Sequence, residues 1–179
     1  MTLHDISASA RFVLLAVATI IIGSLVVLFA PLIYSETVYF NEDVIMWTIP
    51  MKNFWLLGLA LIVLVMMWLL LAWRRNRWTY VASVVLFIAT CVLGYASFLS
   101  VTFIREAGIE QRDVFKTHVY QWEDIEKVTL TYNEKAEDVY TFTPKNGEPF
   151  TLEQNQRTAS AGLQTLFSTY GVAFEEREQ

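Results

Sequence analysis

One cysteine, Cys91, and two histidines, His4 and His118, are all the thiol and imidazole chemistry in this 179-residue chain. An intramolecular disulfide and a cysteine-based metal cluster are therefore excluded. Three runs contain no Asp, Glu, Lys, Arg or His at all: Phe12 to Ile33, Phe54 to Trp73 and Tyr80 to Val101. Transporters, proton pumps and intramembrane proteases need ionisable or metal-binding groups at membrane depth, and these runs offer none. Positive charge is scarce in the remainder, where residues 102 to 179 hold eight Lys/Arg against fourteen Asp/Glu. With no basic stripe to displace counterions from phosphates, no nucleic-acid partner is expected. Catalytic signatures are missing too, since the chain has no nucleophile elbow, no His-x-x-x-His pair and no glycine-rich phosphate loop. No cofactor is expected.

Apolar residues are what the chain has in abundance: 55% of the total, concentrated in the first hundred positions. Phe12 to Ile33 is about 22 residues, enough at about 1.5 Å per residue to cross a hydrocarbon core of about 30 Å. A cleavable signal peptide with Arg11 as its basic segment is the rival reading. Such apolar cores run to only about 7–15 residues and end at an A-x-A-like site, which does not follow here. The three runs predict a multi-pass membrane protein with transmembrane helices over about 12–33, 54–73 and 80–101. The lipid bilayer is then the solvent of residues 1–101, and 102–179 form a separate polar domain.

Arg74, Arg75 and Arg77 occupy the short connection between the second and third spans. Basic loops are retained in the cytoplasm, so this loop and the amino terminus are expected there, with the carboxy-terminal domain extracytoplasmic. The connection from Tyr34 to Asn53 lies two spans away from that domain, so the two share a side and are free to pack together. Within the connection, Thr37-Val38-Tyr39-Phe40 and Val44-Ile45-Met46-Trp47 flank Asn41-Glu42-Asp43, a hairpin pattern. The alternative is an irregular loop with Tyr34, Tyr39, Trp47 and Trp55 at headgroup depth. Thr19-x-x-x-Gly23 and Thr90-x-x-x-Gly94 are small-residue pairs of the kind that let helices approach closely, either within the chain or between copies of it.

Beyond Val101 the pattern changes. Thr102-Phe103-Ile104 runs on from the third span with almost no linker, a connection short enough to hold the domain against the membrane surface. Strands are expected over Ile109–Phe115, Val119–Trp122, Val128–Tyr132, Val139–Thr143 and Phe150–Leu152. Val128, Leu130 and Tyr132 alternate with polar residues in the second half of this set, the period of a half-buried strand. Asn146-Gly147 predicts a type I′ hairpin turn. Leu163, Leu166, Phe167 and Tyr170 then fall on one helical face, Gly171 is placed to end that helix, and the stripe needs a sheet to pack on. Val172–Phe174 is a possible further strand, followed by an acidic tail, Glu175 to Gln179, expected to fray.

The segment Tyr120-x-Trp122-Glu123-Asp124-Ile125-Glu126-x-Val128, followed by a meander and an amphipathic helix, resembles the small bacterial PH-like domains found behind transmembrane helices. The resemblance covers about residues 103–174. It implies an α+β domain with an antiparallel PH-like sheet and a carboxy-terminal helix, in which Trp122, Ile125 and Val128 are buried. It does not imply a phosphoinositide reader, and the acidic balance agrees.

These features point to a non-enzymatic protein whose PH-like domain contacts a protein partner, or a second copy of itself, at the membrane surface. A sheet edge, or the apolar cluster near Trp122, is the candidate contact, and Trp122, Ile125, Val128, Leu163, Phe167 and Tyr170 are the candidate interaction or core residues. The alternatives are an immunity or envelope-stress protein that binds a peptide toxin and a small membrane-bound hydrolase centred on His118. A hydrolase requires His118 to face a cleft with a second polar partner, whereas the binding readings require an exposed apolar patch. Glu134, Glu137 and Asp138 gather oxygens of the kind a hard cation takes, without EF-hand spacing.

Overall fold

A helix that is apolar on every face is stable only where its surroundings are apolar as well. Three such helices form in the computed structural model, which describes residues 7–38, 44–132, 138–153 and 160–178. They are α1 (Ala8–Val38), α2 (Met51–Trp73) and α3 (Arg77–Ala96), each long and apolar enough to cross a membrane. They make up one of two compact units, and a sheet domain makes up the other.

Within the first unit α2 is the central helix, packed on both α1 and α3. Phe12 stacks on Trp68 with ring centroids 6.1 Å apart, and Arg75 Nη2 donates to Ser9 Oγ at 2.7 Å. The start of α1 therefore meets the end of α2, as antiparallel neighbours require. Gly23 permits the close approach, because a Cβ at that position would strike the Leu61 side chain. Hydroxyls inside the helices return to their own backbone: Ser83 Oγ donates to Thr79 O and Thr90 Oγ1 to Leu86 O, both at 2.9 Å. This is how a polar group is satisfied where water is absent. Buried Asn53 ties the start of α2 to the chain just beyond α3, with Nδ2 donating to Ser100 O at 2.6 Å.

Two helix boundaries differ from the sequence expectation. The third span was expected to reach Val101, but α3 ends at Ala96. The Ser97 N–H donates to Leu93 O and its Oγ to Gly94 O, closing the last turn, so that Val101 can start a strand. At the other extreme α1 absorbs Thr37 and Val38, so of the two readings of this connection, hairpin or irregular loop, the hairpin of 37–40 with 44–47 does not form. Tyr39 to Asp43 lie outside the described residues.

The second run of that expected hairpin does become a strand, with a different partner. β1 (Val44–Thr48) pairs antiparallel with β2 (Val101–Arg105), Thr48 opposite Thr102 and Trp47 opposite Phe103. β2 pairs with β3 (Gly108–Arg112) and β3 with β4 (Thr117–Gln121), giving a four-stranded antiparallel sheet in the order β1-β2-β3-β4. A turn of 3-10 helix at Trp122–Asp124 leads into the second sheet. Its strands are β5 (Ile125–Tyr132), β6 (Val139–Pro144), β7 (Phe150–Glu153) and β8 (Ala173–Glu178), in the order β7-β6-β5-β8. Helix α4 (Ser160–Thr169) comes between β7 and β8. Among the described residues seven strands thus precede the helix once β1 is counted, and β8 follows it.

Between the two sheets lies one core that includes Ile104, Ile109, Trp122, Val128, Phe142, Leu163 and Phe167. In β5 both Ile125 and Val128 face it although an odd number of positions separates them. A bulge between Ile125 and Lys127 shifts the register by one residue and reconciles the two. Gly171, at φ 66°, ends α4 in the left-handed conformation as expected, and the Val172 N–H closes onto Phe167 O at 2.9 Å.

Two details of the domain correct the sequence reading. Asn146-Gly147 is not a type I′ turn, since among the described residues only glycines have positive φ. Residues 145–149 instead form a longer connection, in which the Lys145 N–H is drawn to Asp124 O at 2.8 Å. Nor is the stretch from Glu175 a frayed tail. It lies in β8, parallel to β5, with Lys127 Nζ 2.6 Å from Glu175 Oε2.

Candidate interaction surface

Trp122 is held from three directions. Its Nε1 donates to Glu106 O at 2.8 Å and Arg105 O at 3.2 Å in the β2–β3 turn. Its ring meets Phe167 edge-on at 5.9 Å and stacks on Tyr170 at 6.1 Å. The 3-10 turn that positions it is fixed by the Asp124 carboxylate, which accepts the Gln121 N–H at 3.2 Å. Trp122, Ile125, Val128, Leu163 and Phe167 are all buried. Side chains in that state pack the domain and leave no patch for a partner, so of the two roles open to this set, contact or core, these five take the core. Tyr170 differs: it follows α4 and is 42% exposed, with one ring face on Trp122.

The surface that remains open is the other candidate, a sheet edge. β4 ends the order of the first sheet, and its Thr117, His118, Val119 and Gln121 are exposed, Val119 to 66%. Tyr120 points the opposite way and stacks on Phe150 at 5.2 Å. An edge strand carries unpaired backbone donors and acceptors along its outer side, a ready template for another strand. His118 lies on this edge with its ring 6.3 Å from Tyr120. Beside it the β3–β4 turn presents Phe115 at 93% exposure.

Phe115 and Val119 were not singled out by the sequence reading. A strand expected over 109–115 would have given Phe115 the same facing as Ile109, which is buried. The signal against that was Asp113, a residue that favours turns. Its Oδ1 accepts the Val114 N–H at 2.6 Å and its N–H donates to Lys116 O at 2.7 Å, ending β3 at Arg112.

Arg74, Arg75 and Arg77 are exposed at the α2–α3 connection. Asn76 caps α3 there, its Oδ1 accepting from Thr79 N and Thr79 Oγ1 at 2.8 Å each. Thr19, Gly23, Thr90 and Gly94 all line an apolar groove of about 450 Å³ over α2, and a Cβ at Gly94 would meet nothing within 4 Å. The Gly94 face of α3 is therefore not taken up by packing on α1 or α2. Of the carboxylates considered for a cation, Glu134 and Glu137 lie outside the described residues.

The class of protein this defines is three long apolar helices followed by a small two-sheet domain with a helix. No protein-family model matches the chain, and no curated protein matches it. Among solved structures, a chain in the structure of the Spt16D Pob3N heterodimer is similar at 15% identity and a TM-score of 0.36, over 45% of this chain and 46% of that one. A likeness that distant carries no argument about function.

Proposed function

We propose that this is a non-enzymatic membrane protein of the bacterial PH-like kind, whose sheet domain engages a protein partner along the open edge of β4. The observation that carries the reading is the combination, on one edge strand, of an outer side with no neighbouring strand among the described residues and the exposed side chain of Val119. Main-chain pairing to such an edge supplies affinity, and alternate side chains supply specificity. A photo-crosslinking residue at position 119, in the full chain in its own membrane, should give one discrete adduct, and the same residue at Ala107 should give none. Mass spectrometry of the adduct then separates a second copy, an envelope protein and a bound peptide. Equal, diffuse labelling from both positions would sink the proposal.

The orientation we infer has the amino terminus and Arg74, Arg75 and Arg77 in the cytoplasm and the sheet domain on the extracytoplasmic face of the cell membrane. The basic loop supports this. The pairing of β1 with β2 requires an even number of crossings between Thr48 and Val101, which puts both strands on one face of the membrane in either orientation.

A further inference from the structure

Register determines which end of the first sheet carries the chain connections to the apolar helices. Val101 pairs with Arg112, Arg112 with Thr117, and Thr48 with Thr102. The end of β1, the start of β2 and the β3–β4 turn therefore lie at one end of the sheet. The first two are also the points where the chain passes into helices: Thr48 is two residues from Met51 of α2, and Val101 follows Ala96 of α3 by a four-residue connection. A strand advances about 3.4 Å per residue, so the tip of the turn reaches about 7 Å beyond the level of Val101, past the start of β2.

At this tip stands Phe115, whose 93% exposure is the highest of any large apolar side chain among the described residues. Its position is not loose, because the turn is closed by the Asp113–Lys116 backbone bond and the Asp113 side chain. Charge does not explain it. Glu110 pairs with Arg112 at 2.6 Å and with Arg105 at 3.1 Å, and Lys116 shares the turn with Asp113, so at most one positive charge here is uncompensated and the tip is no basic cluster for anionic headgroups.

We propose that Phe115 seats in the interfacial layer of the same bilayer that α2 and α3 cross, giving the sheet domain a second, non-covalent attachment to lipid. The inference rests on the reading of α2 and α3 as membrane spans. An amphipathic interface accepts an aromatic ring without needing a charged partner, so the attachment should be as strong on zwitterionic as on anionic lipid.

The test uses the full chain, reconstituted in phosphatidylcholine vesicles with or without nitroxide-labelled acyl chains. One environment-sensitive fluorophore is placed at a time: on native Cys91, or in a Cys91→Ser background on Lys116→Cys or Ala107→Cys. Cys91 is exposed on α3 and reports the span itself. Ala107 is exposed in the β2–β3 turn, at the opposite end of the same strands. Quenching is expected at 91 and 116 but not at 107, and F115S should reduce quenching at 116 to the level at 107. Because Phe115 is almost wholly exposed, F115S leaves the core intact. Quenching at 91 without quenching at 116 overturns this inference while leaving the spans in place. Quenching at 116 that persists in F115S also overturns it, as does a blue-shifted but unquenched label at 116, which would mean protein covers the tip. Absence of quenching at 91 removes the spanning reading and the inference together.

Discussion

Trp122 shows how much one residue can organise in a small domain. Its indole joins the β2–β3 turn, α4 and the residue after α4, three segments far apart in the chain. Trp122→Ala should destabilise the domain by about 3–5 kcal/mol, the range for truncating a buried large aromatic. Trp122→Phe keeps a ring but removes the donor to Glu106 O, and should lose about 1–3 kcal/mol, the penalty for an unsatisfied buried group. Chemical unfolding of the detergent-solubilised chain, followed by circular dichroism, measures both. Gly108 is a second sensitive residue, with φ at 152° and the Tyr120 carbonyl oxygen where a Cβ would sit. Gly108→Ala pushes a side chain into backbone that cannot yield, so it should destabilise more than the same change at Gly58, where a Cβ meets nothing within 4 Å. The burial of Trp122, Ile125 and Val128 was implied by the PH-like resemblance, and of the three only Val128 was also legible from its alternation with polar residues, since the bulge after Ile125 breaks the local period. Phe115 was not legible, because its exposure depends on a turn at Asp113 that interrupts an otherwise plausible strand.

At the scale of elements, the expected strands and the single helix formed, while the partner of β1 was hidden. Local pattern shows that Val44 to Thr48 is β-prone, but pairing with β2 is a contact across 53 positions, which no local period encodes. Met46 of β1 is 8% exposed and belongs to the domain core. Met46→Ala should therefore lower domain stability by about 2 kcal/mol or more, as a buried Met truncation does, even though the residue lies on the far side of two spans in sequence. A segment of 101–179 alone should lack a settled first sheet, and addition of a peptide covering 43–49 should restore it, read from amide hydrogen exchange in β2. β8 offers a pH test. The hydrogen bond from Lys127, aided by the charges of Lys127 and Arg177, holds the Glu175 carboxyl below its ordinary value of 4.5. A carboxyl depressed by folding stabilises the fold fully above its unfolded value, and that contribution fades as pH falls through the folded value. The docking of β8 should thus weaken only below about pH 4.5, and only slightly, because Glu175 is half exposed. Glu175→Gln should flatten that part of the thermal melting profile.

For the whole molecule, sidedness is the most informative property to measure. A Cys91→Ser chain carrying Asn146→Cys, an exposed position in the β6–β7 connection, should react with a membrane-impermeant maleimide on intact cells. Reaction only after lysis would reverse the inferred orientation. The three apolar runs were legible because a hydrocarbon environment dictates composition over whole spans, whereas the helix ends were not. Ser97 caps α3 and Val101 starts β2, and the pairing of β2 with β1 and β3 is a tertiary fact. The pairing of β1 with β2 also bears on biogenesis. During synthesis β1 emerges first and waits, unpaired, while α2 and α3 are threaded into the bilayer. Its partner arrives only afterwards. If either helix fails to insert, the two strands finish in different compartments and the first sheet cannot close. On the proposed topology, closure of the first sheet therefore depends on the insertion of both helices, and a chain in which one of them fails to insert is expected to expose an unclosed sheet.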